Sequence, residues 1–218
     1  MSEQGGGLVQ LGAIRPSVER NRLEYRARML AWGGIAWHVV EFAIAIGAGL
    51  AASSIALIGF GADSLIEALA SLVVVWLYTG DRRGSHTAER RAQILIAASF
   101  FILAAYVGVE AVRALVSGDH PQVSWVGVGL AAVTALTMPL LAKAKRGVGA
   151  GLHSAATVKE ARQTQLCAYL SIALLLGLGS NALLGWWWAD PLAALVIAGV
   201  AVEEGRSSWR GEGCCDDC

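Results

Sequence analysis

Six stretches of this chain run apolar for long enough to cross the roughly 30 Å hydrocarbon core of a bilayer. They are Met29 to Leu50, Ile55 to Tyr78, Ile94 to Val116, Val123 to Leu141, Leu166 to Leu184 and Trp186 to Val202. A soluble helical core would interrupt such runs with a polar face at helical spacing, so the pattern predicts an all-α membrane protein with six transmembrane helices. Composition alone does not decide this, because 56% hydrophobic and 16% charged residues would also suit one large soluble core. The last two runs are short. Between them Trp186-Trp187-Trp188 has the character of an interfacial aromatic belt, which places a turn at the membrane surface. The opening Met1-Ser2-Glu3-Gln4 has neither the basic flank nor the apolar core of a secretory signal, so this segment is expected to stay in the finished protein.

A formal net charge of zero conceals an asymmetry: of the 17 lysines and arginines, all except Arg113 fall on one side of the expected membrane. Arg15, Arg20, Arg22, Arg26 and Arg28 precede the first span, and Arg82, Arg83, Arg90 and Arg91 lie between the second and third. Lys143, Lys145, Arg146, Lys159 and Arg162 separate the fourth from the fifth, and Arg206 and Arg210 follow the sixth. The positive-inside rule then makes both termini cytoplasmic and requires an even number of spans, and a multi-pass protein of the cell's inner membrane is expected. The chain divides accordingly into a basic cytoplasmic segment (1–28), a six-helix transmembrane domain (29–203) and a short Cys-rich cytoplasmic tail (204–218). The basic segment reads as an amphipathic helix lying against anionic headgroups. Topology explains its charge, and no nucleic-acid partner is expected. Gly147-Val148-Gly149-Ala150-Gly151 is expected to break the chain after the fourth span, with His153 to Gln165 resuming helical spacing as a projection into the cytoplasm.

The chemistry is concentrated in acids buried within apolar spans. Asp63 and Glu67 stand four apart in the second span, on one face and a turn from each other. Each carboxylate costs on the order of 3 kcal/mol at a bilayer centre, so the pair must face protein, water or a cation. Gly59 and Ser71 extend that face and let neighbouring helices approach. A purely structural role in hydrogen bonding other helices is the poorer reading, because adjacent acids repel and neutral side chains would serve. His38 and Glu41, three apart in the first span, form a second polar cluster that can relay protons or join a cation site, a static contact being the alternative. On the fifth helix Glu160, Gln163, Thr164, Cys167 and Ser171 share a stripe. There Cys167 offers a thiolate suited to zinc or cadmium, against the plainer reading of a packed cysteine. Glu110 and Arg113 read as a structural pair, and Asp190 before Pro191 as a cap for the sixth helix. In the tail, Cys214, Cys215 and Cys218 stand beside Asp216 and Asp217. A reducing cytosol disfavours disulfides there, and the donors suit metal capture, unless the tail is simply a polar segment with free thiols.

These residues resemble the transmembrane domain of the cation diffusion facilitator family, also called cation efflux proteins. Ala62-Asp63-Ser64-Leu65-Ile66-Glu67-Ala68-Leu69-Ala70-Ser71 is similar to the family's second-span metal motif, and Trp188-Ala189-Asp190-Pro191-Leu192-Ala193-Ala194-Leu195 to its start of span six. The likeness covers roughly Arg26 to Arg210. It implies a divalent metal cation transporter, for zinc or a similar ion, working as a cation/proton antiporter. The metal would be substrate, no cofactor would be required, and lipid, metal and protons would be the partners. The family's span-five histidine and aspartate correspond to Gln163 and Cys167 here, which marks a divergent member. The cytoplasmic metal-binding domain that supports dimerisation in the family has no counterpart in these residues, which leaves a homodimer open. A non-transporting membrane metal sensor or scaffold is the alternative function. An enzyme is not expected, since no nucleophile motif accompanies Cys167 and His38.

Overall fold

The structure, a computed structural model, describes residues 6–77, 86–118, 120–152 and 155–210. Within them the chain forms six helices and no strand: α1 (Gly6–Ala52), α2 (Ile55–Leu77), α3 (His86–Ser117), α4 (Trp125–Leu152), α5 (Ala155–Leu184) and α6 (Ala189–Arg210). α1 pairs with α2, α4 with α5 and α3 with α6, while α2 also touches α3, α5 and α6. Facing positions establish the directions. Gly49 meets Ile58 and Gly61 meets Ala45 across α1 and α2, Gly149 meets Val158 across α4 and α5, and Gly205 meets Phe101 across α6 and α3, so each pair is antiparallel. The start of α1 and the end of α6 therefore lie at one end of the bundle. Arg20, Arg22, Arg26, Arg28, Lys143, Arg146, Arg162, Arg206 and Arg210 gather at that end, and Arg113, paired with Glu110 at 2.7 Å, sits at the other.

Among the described residues, five helices are long and apolar enough to cross a membrane, and α6 is not one of them. The expected sixth span is short because charges close on it from both sides. Asp190 stands at its start and Glu203, Glu204 and Arg206 near its end, so the uncharged stretch from Pro191 to Val202 rises only about 18 Å.

Three expectations change. The basic N-terminal segment is not a separate helix on the membrane plane; it is continuous with the first span in a helix of 47 residues, about 70 Å long. No Gly or Pro interrupts Glu19 to Trp32, so nothing ends the helix at the interface. Glu24 and Ala27 are buried, and Leu23 packs against Gly151 of α4, so one face of this segment meets protein. Nor does the glycine-rich stretch break the chain. α4 runs through it to Leu152, and Gly149 lets α5 come close, since a Cβ there would lie 3.0 Å from Val158 N. Finally, Asp190 does not cap its own helix. Its Oδ1 accepts a 2.5 Å hydrogen bond from Ser54 Oγ and its Oδ2 accepts one from Ala56 N, so it satisfies the first turn of α2 from across the bundle.

Ser54 has two further duties. α1 ends in a Schellman turn with Ser53 in the left-handed region (φ 53°), Ser53 N bonding Leu50 O and Ser54 N bonding Gly49 O. The Ser54 hydroxyl then caps α2 by accepting from Leu57 N at 3.1 Å. The tail with Cys214, Cys215 and Cys218, and the loop with Arg82 and Arg83, lie outside the described residues.

Candidate metal centre

Between these ends, α1, α2, α4 and α5 enclose polar side chains in two adjoining layers. The first is built around Glu41, which is fully buried on α1. Its Oε2 accepts from Ser64 Oγ at 2.9 Å and lies 3.2 Å from His38 Nδ1, and its Oε1 accepts from Thr134 Oγ1. A carboxylate with three neutral donors is well compensated without any ion. Its effect on His38 is orientational. With the Nδ1 proton donated to Glu41, the neutral ring keeps its lone pair on Nε2, and that atom points away from Glu41.

Nε2 of His38 lies 3.1 Å from Glu67 Oε2, and that oxygen has no hydrogen bond of its own although it is buried. Two lone pairs at this separation repel unless a proton or a cation lies between them. The Cys167 thiol is fully buried on α5 and faces the same place. One ligand atom each from His38, Glu67 and Cys167 falls within 4.8 Å of the others. Imidazole nitrogen, carboxylate oxygen and thiolate sulfur from three helices form a donor set suited to zinc and similar borderline-soft cations. Asp63 is buried one turn from Glu67 on the same helix, α2. Glu67, Glu41 and Glu204 all bear on it electrostatically.

The second layer lies one turn nearer the basic end. Lys145 Nζ, only 1% exposed, pairs with Glu160 Oε1 at 2.7 Å and donates to Thr164 Oγ1 at 3.2 Å, while Ser71 Oγ donates to the same Glu160 oxygen at 2.7 Å. Glu160 thus stands apart from the trio, with a cation of the protein's own. Gln163 lies on α5 between Glu160 and Cys167, and its Nε2 is buried without a hydrogen bond. Ser171 Oγ turns back to the Cys167 carbonyl at 2.6 Å.

Of the residues expected from the sequence, the structure brings together His38, Glu67 and Cys167, sets Asp63 beside them, makes Glu41 the partner that orients His38, and separates Glu160. Reading the sequence missed Ser64, Thr134 and Lys145. Lys145 was counted among the charges of the loop after the fourth span. Its spacing from Thr134, Met138 and Ala142, all buried on one face of α4, is the signal that would have placed it inside.

No curated protein matches the chain. The family model for the cation efflux transmembrane domain matches residues 33–210, which takes in every residue of both layers, and the chain belongs to the cation efflux family of membrane cation transporters.

Proposed function

We propose that this protein exports a divalent metal cation, zinc or one of similar softness, in exchange for protons. In this reading α6 completes six crossings, both termini face the cytoplasm, and the protein resides in the cell's inner membrane. The observation that carries it is the close approach of His38 Nε2 to an otherwise unbonded Glu67 Oε2, with Cys167 beside them. The centre needs a positive charge. Leaving aside Glu41, which its hydrogen bonds compensate, Asp63, Glu67 and Glu160 are buried in the bundle against one buried lysine, Lys145. That excess can be neutralised by a divalent cation or by protons, and a site that must hold one or the other couples their movements. His38, Glu67 and Cys167 hold the cation, and Asp63 receives it or its replacing protons on the next turn.

Zinc flux and the opposing proton flux into proteoliposomes test this directly. Wild-type protein is expected to move both, Asp63→Asn and Glu67→Gln neither. Undiminished zinc flux in Glu67→Gln removes that residue from the site, and zinc flux without proton movement removes the exchange.

A further inference from the structure

The Lys145 and Glu160 pair is not explained by a metal centre one turn away. A lysine near the end of a membrane helix ordinarily extends its chain toward the headgroups. Lys145 instead turns inward and is 1% exposed, although burying an ammonium is expensive unless its partners are well placed. The partners are well placed here. Glu160 Oε1 at 2.7 Å and Thr164 Oγ1 at 3.2 Å accept from Nζ, and Ser71 Oγ steadies the same carboxylate oxygen at 2.7 Å.

Room for the ammonium comes from α1. A Cβ at Gly34 would lie 3.0 Å from Lys145 Nζ and 3.5 Å from Ser71 Oγ, so a side chain at that position would crowd the ammonium. Four helices therefore converge on one positive charge. The register also matters: Gly34 precedes His38 by one turn, Ser71 follows Glu67 by one turn, and Thr164 precedes Cys167 by one turn. The lysine layer thus separates the metal centre from the basic end of the bundle. Its charge acts on Glu67 as well as on Glu160.

We propose that Lys145 is a tethered cation: its ammonium fills a second cation site formed by Glu160, Ser71 and Thr164, and a transported ion crosses this layer by displacing it. A carboxylate with two hydroxyl oxygens is a hard donor set, open to an ammonium or to a divalent metal ion. The doubly charged ion competes for Glu160 when the lysine swings away, and the lysine closes the layer again after the ion has moved on to Glu67. Crossing in this way rests on the transporter reading; the second site itself does not.

Cadmium bound per chain tests both separately, using the full-length protein with Cys214, Cys215 and Cys218 changed to serine so that the tail thiols do not contribute. That background is expected to bind one Cd2+, with a thiolate-to-cadmium absorption band from Cys167. Lys145→Met is expected to bind two with the band unchanged, because the new ion has only oxygen ligands. The double variant Lys145→Met with Glu160→Gln is expected to return to one. A count of one in both the background and Lys145→Met overturns the tethered-cation proposal and leaves the metal centre standing. A count of none in the background and one in Lys145→Met overturns the metal centre and leaves the second site standing, and none in either overturns both. Should Lys145→Met fail to fold, Lys145→Gln keeps hydrogen bonds to Glu160 and Thr164 without the charge, and the same counts decide.

Discussion

Nδ1 of His38 lies 3.2 Å from Oε2 of Glu41, and this contact sets which ring nitrogen faces the metal centre. Glu41 acts on the metal through the histidine, not by touching it. Replacing Glu41 with Gln leaves one acceptor oxygen where Ser64 and Thr134 now use two, and weakens the hold on the imidazole. Zinc affinity is expected to fall about 10–100-fold, as for other partners that orient a ligating histidine, with the number of ions bound unchanged. Titration calorimetry separates that result from loss of the site.

Cys167 gives the centre its softness. With the tail cysteines changed to serine, Cys167→Ser is expected to abolish the cadmium–thiolate absorption and to weaken cadmium binding more than manganese binding, since a hydroxyl is a poor ligand for the softer ion. Equal losses for both metals would mean that the thiol packs beside the centre without ligating.

Asp190 holds the far end together. Asp190→Ala leaves Ser54 Oγ and Ala56 N without their acceptor, a loss of about 1–3 kcal/mol for a buried group left unpaired. A lower Tm in detergent with unaltered metal stoichiometry is expected, and Asp190→Asn, which still accepts one hydrogen bond, should fall between the two.

Two of the three glycines of the expected break, Gly149 and Gly147, should behave oppositely. Gly149→Ala forces a methyl to 3.0 Å from Val158 N, whereas a Cβ at Gly147 meets nothing within 4 Å. The first is expected to destabilise by about 1–3 kcal/mol through overpacking, and the second to stabilise by up to about 1 kcal/mol as alanine replaces glycine inside a helix. Thermal unfolding of both variants checks the contrast.

The apolar runs made the helical membrane class legible, because span length is a local property of sequence. Asp63, Glu67, His38 and Glu41 were legible as well, since a charge inside an apolar run stands out without knowing its neighbours. What could not be read was partnership. Glu41 is compensated by Ser64 and Thr134 from two other helices, and nothing in its own span reports that. Lys145 and Glu160 looked like a loop charge and a possible ligand until the register of α4 against α5 set them 2.7 Å apart. Asp190 misled in the same way: it precedes a proline at a helix start, the local signature of a cap, yet it serves the start of a different helix.

The knot of Ser54, Asp190 and the two-residue link between α1 and α2 bears on how such a bundle can move. Three helices share one fastening at the end away from the arginines. A rearrangement that leaves this fastening intact cannot slide α2 past α6; it can only splay their opposite ends. The fastening is then a fulcrum, and because each helix is rigid, a small tilt there becomes a larger displacement where the lysine meets its glutamate.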